Sequence, residues 1–129
     1  MNKLLSVQTE NAPAAIGPYS QAIKTKDLVF LSGQIPLDPI SMMVVKGGIE
    51  QQTHQVFKNL IAVANASGSS ISSAIKLTIY LIDLENFSIV NKIMEEYFSS
   101  PYPARATIEV SALPKNVSIE IDAILGLSI

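Results

Sequence analysis

The sequence contains no cysteine, and its only histidine is His54. The lack of cysteine excludes disulfide bonds, a thiolate nucleophile and any cysteine-ligated metal or cluster. A lone histidine excludes zinc sites built from several histidines, and any catalytic triad whose histidine lies elsewhere in the chain. His54 stands beside Gln52 and Gln55 on a predicted helix, which favours an exposed or interface position over a catalytic one. We therefore predict no metal site.

Charged residues are also scarce. The 9 Lys and Arg and 11 Asp and Glu residues make up 16% of the chain, whereas about 25% is usual for a soluble domain. A small monomer needs polar residues to cover its surface, so this composition predicts that part of the surface meets another subunit. The net charge of −2, the lack of a basic cluster and the absence of tryptophan argue against a nucleic-acid partner.

Long hydrophobic runs are missing as well. The longest uncharged run, residues 59–75, is interrupted by Asn65, Gly68 and several serines, so it is unsuited to span a membrane. The apolar stretch at the N-terminus is shorter than the roughly 7–15 residues of a signal peptide core. We therefore expect a cytoplasmic protein with no membrane partner. The length of 129 residues predicts one domain over residues 1–129.

Two segments have helical periodicity. Apolar residues recur at three- and four-residue spacing over residues 49–66, and Gly68 is placed to end this helix in a left-handed conformation. A second helix is predicted over residues 84–98, with Asp83 as its N-terminal cap. Pro101 prevents its continuation.

The remaining regular segments are predicted strands. They cover residues 28–35, 75–82, 104–110 and 117–125, with residues 21–25 as a hairpin partner of the first. The last two strands follow one another directly and predict a closing hairpin. Because strands and helices alternate only in the middle of the chain, the order predicts an α+β domain, with a mixed sheet and both helices on one face. The other face then meets solvent or a partner subunit.

The predicted closing hairpin carries the most informative charges. Arg105 and Thr107 share one face of its first strand, and Glu120 and Asp122 share one face of its second. If the hairpin is symmetric about its turn, Arg105 lies opposite Asp122 and Thr107 lies opposite Glu120. Such a cluster is most often a solvated cross-strand ion pair. The alternative is a site where the arginine binds a carboxylate and a nearby carboxylate activates water.

Other candidate residues also have a structural interpretation. Tyr19 follows a Gly-Pro pair and is interpreted as a loop anchor. Ser32 and Gly33 interrupt an apolar strand, which is typical of a β-bulge, although glycine also lets a ligand approach the backbone. Asn91 is a poor helix former in the middle of the second helix and is expected at the surface. From the residues alone, the prediction is a small α+β oligomer with an anion site as the functional alternative.

Several segments, taken together and in order, resemble the RidA family (YjgF, reactive intermediate deaminase). The resemblance runs from about residue 5 to residue 124 and rests on residues 11–22 (NAPAAIGPYSQA), 32–36 (SGQIP), 47–53 (GGIEQQT), 87–91 (FSIVN), 103–107 (PARAT) and 119–121 (IEI). It implies a chorismate-mutase-like α+β fold assembled as a homotrimer, with sites in the clefts between subunits. It also implies hydrolysis of enamines and imines released by pyridoxal-phosphate enzymes, such as 2-iminobutanoate and 2-iminopropanoate, to 2-oxo acids and ammonia. No metal or organic cofactor is implied.

The resemblance also assigns roles to individual residues. It implies that Arg105 binds the substrate carboxylate and that Glu120 positions or activates the water. The implied substrate-binding positions are Tyr19, Ser32, Gly33, Asn91, Arg105 and Thr107. The alternative function is a non-catalytic trimer that binds small carboxylates or acts like a chaperone. The turn at residues 38–43, His54 and the apolar tail at residues 125–129 depart from the family pattern without touching these positions.

Overall fold

A computed structural model describes residues 3–127 and shows a six-stranded mixed sheet with two α-helices. The order of strands across the sheet is β1-β2-β3-β6-β4-β5. The predicted α+β class is confirmed. The elements are β1 (Leu5–Val7), β2 (Ala22–Lys24), β3 (Leu28–Gln34), α1 (Ile49–Ala66), β4 (Ala74–Leu81), α2 (Phe87–Tyr97), β5 (Ala104–Glu109) and β6 (Ile119–Gly126).

Helix α1 has the bounds that the apolar spacing predicts. Its buried stripe includes Phe57 and Leu60, which lie against the sheet. At its start the Gln51 side chain accepts a hydrogen bond of 2.9 Å from the Gly48 backbone N–H, which satisfies a donor that the helix leaves free. Gly68 has a φ of +85°, so the predicted left-handed termination is confirmed.

Helix α2 begins three residues later than predicted. Residues 84–86 form a separate single turn of 3₁₀ helix, and Asp83 caps that turn by accepting a 2.9 Å hydrogen bond from the Glu85 N–H. The α-helix proper starts at Phe87 and packs against α1. At this contact the Nδ1 of His54 lies 2.6 Å from the Tyr97 hydroxyl, so His54 is a helix-packing residue.

The first half of the sheet follows the predicted pairing. β2 and β3 are antiparallel neighbours, and the register between β3 and β6 shifts between Leu31 and Gln34, which confirms the bulge at Ser32 and Gly33. β1, which pairs with β2, was not predicted because it is only three residues long and exposes Leu5 to solvent. So short a strand has no readable alternation of apolar and polar residues.

The predicted closing hairpin is wrong, because β4 lies between β5 and β6. β5 runs parallel to β4, and β6 runs antiparallel to it. Arg105 pairs with Leu77 and Thr107 with Ile79, so the predicted cross-strand neighbours of Arg105 and Thr107 are not formed. Helix α2 provides the crossover that two parallel strands need. A position between two other strands suits β4 because Leu77, Ile79 and Leu81 are fully buried.

The sheet has two chemically different faces. The helix face is the one that α1 and α2 cover, and it includes Leu77, Ile79 and Leu81 of β4, each fully buried. Ile75 follows the same alternation along β4 but does not join them, because the β4–β6 register is irregular between Ala74 and Lys76 and leaves Ile75 47% exposed. The opposite face of the sheet, here the open face, carries the side chains that alternate with the buried ones, such as Tyr80 and Glu120. Residues 128 and 129 of the apolar tail lie outside the described residues.

Candidate functional site

Arg105, the only arginine in the sequence, stands on the helix face of the edge strand β5. Its Nη1 donates to the side-chain oxygen of Asn91 on α2, and it also lies 3.6 Å from the sulfur of Met94. The guanidinium carbon lies 5.0 Å from the centre of the Phe87 ring. Asn91 is therefore a partner of Arg105, where the sequence had indicated an ordinary surface residue. The guanidinium is held in one orientation by a neutral amide and an aromatic face.

The Arg105 pocket is a cavity of about 460 Å³ in front of this guanidinium. Its lining residues are Asn91, Met94, Glu95, Tyr102, Pro103 and Arg105. Because Asn91 is neutral, it leaves the positive charge of Arg105 available to a ligand. A guanidinium with free N–H donors matches the planar geometry of a carboxylate. The predicted ion pair with Asp122 is excluded, since β4 separates the two strands that carry these residues.

Glu120 belongs to a second cluster on the open face. It pairs directly with Tyr80 of β4 and is half-buried. Its side chain lies over Gly33 in the β3 bulge, where a Cβ atom would stand 2.2 Å from the Glu120 Oε2. Glycine is therefore required for this close approach. Burial raises the pKa of the Glu120 carboxyl above its usual value, and the negative charge of Asp122 raises it further.

The Glu120 pocket, a cavity of about 300 Å³, connects this carboxylate with the loop before β2. Tyr19, which is 53% exposed, lines it together with Gly33 and Lys115. The Ser32 hydroxyl donates a 2.5 Å hydrogen bond to the Ser20 carbonyl, in the loop before β2. The structure thus brings Tyr19, Gly33 and Glu120 to one place, with Ser32 holding the loop beside them.

Thr107 lies in neither pocket. It is two residues from Arg105 on the same face of β5, and its Oγ1 is buried without a hydrogen-bond partner in the described part of the chain. The geometry therefore does not bring Thr107 into contact with the space in front of Arg105.

The two pockets lie on opposite faces of the sheet. Arg105 shares its face with Leu77, whereas Glu120 shares the other face with Tyr80, and β4 stands between them. The predicted cluster of one arginine and two carboxylates on a single sheet face is therefore wrong for one chain. In one chain, Arg105 and Glu120 line different pockets.

Reasoning from the sequence named Asn91 as a binding position but missed Phe87 and Met94 as neighbours of Arg105. Phe87, Asn91 and Met94 are spaced by four and three residues along α2, so they lie on one side of the helix. That spacing was a usable signal that all three contact the same group. Nothing in the sequence pattern indicated that Tyr80 lies directly across from Glu120, because this follows from the order of the strands.

Residues 3–127 contain neither a metal-binding cluster nor a membrane-spanning helix. No group of three or more histidine, aspartate or glutamate side chains is placed to hold a metal ion in that range. Within the same range, neither helix combines the length and the apolar character needed to cross a bilayer.

Comparison with known proteins gives consistent matches over most of the chain. The family model described as "Endoribonuclease L-PSP" matches residues 9–126. The chloroplastic Reactive Intermediate Deaminase A of Arabidopsis thaliana is 52% identical over 121 residues, which cover 94% of this chain and 65% of that protein. The human 2-iminobutanoate/2-iminopropanoate deaminase is 42% identical over 118 residues, which cover 92% of this chain and 86% of the human protein.

The fold is also found among solved structures. A crystal structure of a Yersinia pestis protein of the conserved Rid family matches with a TM-score of 0.94 and 44% sequence identity. The match covers 97% of this chain and all of that chain. The sequence and structural similarities therefore extend over both pockets.

Proposed function

We propose an imine deaminase activity for this chain, which belongs to the RidA/YjgF family that the Endoribonuclease L-PSP model describes. Its substrates would be small 2-imino acids such as 2-iminobutanoate and 2-iminopropanoate, and its products the 2-oxo acids and ammonia. The observation that carries this proposal is the geometry of Arg105, whose guanidinium is fixed by Asn91 and Phe87 at the wall of a small pocket. The names of the relatives support the reaction type.

The proposed reaction needs only water and two side chains. Arg105 binds the substrate carboxylate and so places the imine carbon where a water molecule can attack it. The imine reacts in its protonated form, with two protons on nitrogen. A C–O bond forms, the electrons of the C=N double bond move to nitrogen, and Glu120 takes the proton that the water loses, which leaves a neutral carbinolamine. Glu120 then returns a proton to the nitrogen of the carbinolamine. The C–N bond breaks, ammonia leaves, and loss of the hydroxyl proton produces the 2-oxo acid.

The raised pKa of Glu120 suits both halves of this reaction. A carboxylate whose pKa is raised is a stronger base towards water, and once it holds that proton it can deliver it to the leaving nitrogen. Burial is the main cause of the raised pKa, so the Glu120 pocket itself contributes to the chemistry. Tyr19, Ser32, Gly33 and Asn91 remain proposed binding residues, and Thr107 is the proposed one with the least support from the geometry.

A shared site between copies is part of this proposal. Arg105 and Glu120 face opposite ways in one chain, so they can act on one substrate only if different copies supply them. We propose a homotrimer, in which each cleft combines the Arg105 pocket of one subunit with the Glu120 pocket of the next. Exposed apolar side chains on the open face support an interface there. Phe30 is 43% exposed and Ile108 is 45% exposed.

The activity is tested with an enzyme that generates the imine in place. A pyridoxal-phosphate threonine dehydratase releases the unstable enamine of 2-iminobutanoate, and formation of 2-oxobutanoate is followed with and without the purified protein. We expect the protein to accelerate the appearance of 2-oxobutanoate and heat-denatured protein to have no effect. If the rate of 2-oxobutanoate formation does not change when the protein is equimolar with the dehydratase, the proposal is refuted.

Gly33→Ala is expected to reduce this activity by up to about 100-fold, because a displacement of about 1 Å at a catalytic group costs that much. The new methyl group would occupy the position 2.2 Å from the Glu120 Oε2, so the carboxylate must turn away. Since the clash is with the end of a flexible side chain, the unfolding temperature should change little. Activity is measured in the coupled assay, and stability by thermal unfolding.

Gly48→Ala is the matched control for this variant. A Cβ atom at Gly48 meets nothing within 4 Å, and the site lies at the start of α1, away from both pockets. Wild-type activity in Gly33→Ala would show that Glu120 does not need its present position.

A binding protein without catalysis is the second candidate. The observation that favours it is that Glu120, the proposed proton acceptor, lies on the opposite sheet face from the Arg105 pocket in one chain. Calorimetry with 2-oxobutanoate separates the two candidates. Binding without turnover in the coupled assay would favour this second function. We propose no nucleic-acid partner, since the chain has a net charge of −2.

A further inference from the structure

Tyr80 and Asp122 lie next to Glu120 on the open face. Tyr80 of β4 is the register partner of Glu120, and Thr78 is the register partner of Asp122. The Tyr80 hydroxyl reaches diagonally across the two strands and donates a 2.9 Å hydrogen bond to the Asp122 Oδ2. Asp122 is two residues from Glu120 on the same strand face. The three side chains therefore form one connected group, here the open-face triad.

We propose that Tyr80 is a positioning residue, which holds the Asp122 carboxylate beside Glu120 and so sets the pH range in which Glu120 exchanges protons with the reacting molecules. This inference rests on the proposed function, in which Glu120 accepts and returns a proton. Tyr80 does not itself touch the substrate in this scheme. It acts through the orientation of Asp122.

The electrostatics of the triad determine the direction of the effect. The charge of Asp122 opposes ionisation of Glu120, and this adds to the effect of burial in raising the pKa of Glu120. The hydrogen bond to Asp122 is in turn the main reason why the pKa of Tyr80 is raised, so the Tyr80 hydroxyl stays protonated and remains a donor. The hydrogen bond thus keeps Asp122 at the place where its charge acts on Glu120.

Two other titratable side chains line the Glu120 pocket. Lys115, from the loop before β6, and Tyr19, from the loop before β2, line the Glu120 pocket with it. The neighbouring strand β3 contributes Gly33, which has no side chain. Asp122 is thus the anionic neighbour through which the protein can raise the pKa of Glu120, and Tyr80 is the residue that holds Asp122.

Removal of the Tyr80 hydroxyl leaves Asp122 free to turn away from Glu120, so that its charge acts on Glu120 over a longer distance. The pKa of Glu120 should therefore fall in Tyr80→Phe, which keeps the ring and removes only the hydrogen bond. Asp122→Asn removes the charge itself and should lower the pKa of Glu120 as well. In the double variant no charge remains to be positioned, so the Tyr80 substitution should add nothing.

The direct measurement is an NMR titration of protein labelled with ¹³C at the glutamate carboxyl groups. The signal of Glu120 is identified by its loss in Glu120→Gln. We expect the titration midpoint of Glu120 to move to lower pH in Tyr80→Phe and in Asp122→Asn. The midpoint in the double variant should equal that in Asp122→Asn. The acidic limb of the kcat/KM profile should move in the same direction.

Tyr97→Phe is the matched control. It also removes a tyrosine hydroxyl that is held in a hydrogen bond, at 2.6 Å from His54, but on the helix side of the sheet. Its Glu120 midpoint should equal that of the wild type. Thermal unfolding of all variants separates the titration shift from a general loss of structure.

An unchanged or raised Glu120 midpoint in Tyr80→Phe would overturn the inference, as would an equal shift in Tyr97→Phe. The titration needs no turnover, so it can succeed or fail independently of the coupled assay. A wild-type protein without imine hydrolysis would refute the proposed function, whereas only the titration decides whether Tyr80 acts on Glu120 through Asp122.

Discussion

Arg105→Ala is expected to lower kcat/KM for imine hydrolysis by about 100-fold or more. Hydrogen bonds to a charged group contribute about 1.5–3 kcal/mol each, and a bidentate grip on a carboxylate uses two of them. A loss of about 3 kcal/mol corresponds to a factor of more than about 100 in rate. The substitution also leaves Asn91 without its donor, so the pocket loses both charge and order. The coupled dehydratase assay measures the change.

The effect should be specific to the guanidinium and not to positive charge in the neighbourhood. Lys92→Ala removes an exposed cation from α2 directly beside Asn91 and should retain wild-type activity. Arg105→Lys keeps the charge but loses the planar fork, so its activity should fall between those of the wild type and Arg105→Ala. Binding of 2-oxobutanoate in calorimetry should disappear in Arg105→Ala. Equal kcat/KM in Arg105→Ala and wild type would contradict the assigned role.

Glu120→Gln should reduce kcat by about 100-fold to 10,000-fold, the usual contribution of a positioned acid or base. The amide has nearly the same size as the carboxyl group, so it can occupy the same place over Gly33. It cannot take a proton from water or return one to the leaving nitrogen. Because Arg105 is unchanged, binding of 2-oxobutanoate should persist, and the loss should appear in kcat.

Glu109→Gln is the matched control, because it makes the same chemical change outside both pockets. Glu109 is exposed on β5, where its Oε1 accepts a 3.0 Å hydrogen bond from the Leu84 N–H, and it lines neither pocket. Its activity should match that of the wild type. If Glu120→Gln were as active as Glu109→Gln, a different group would have to move the proton.

The two inactive variants together test whether the site is shared between copies. When Arg105→Ala and Glu120→Gln chains are co-expressed in equal amounts, random cyclic trimers contain about a quarter of sites with an intact Arg105 and an intact Glu120 from neighbouring subunits. We therefore expect activity to return to about a quarter of the wild-type value. A site built within one chain would be damaged in every subunit, and no activity would return.

Local structure could be predicted well from the sequence because its causes are local. Helix α1 follows from apolar residues at three- and four-residue spacing and from Gly68, whose positive φ ends it. The bulge at Ser32 and Gly33 was indicated by a small pair inside an apolar strand. Two elements too short to show periodicity were not predicted, namely β1 and the single turn of 3₁₀ helix at residues 84–86. Arg105 and Glu120 lie on different strands, and their proposed roles came from the resemblance to a family.

By itself, the sequence determined the α+β class, both α-helices and the strands other than β1, and its resemblance to a family pointed to the two residues on which the proposed chemistry depends. Only the tertiary structure decided how the strands are ordered. Because the alternation along a strand is the same for any neighbour, it does not reveal that β4 separates β5 from β6. That order places Arg105 on the helix face and Glu120 on the open face, beside Tyr80 and Asp122. The scarcity of charge predicted an interface, and the opposite faces give the physical reason why the proposed site needs one.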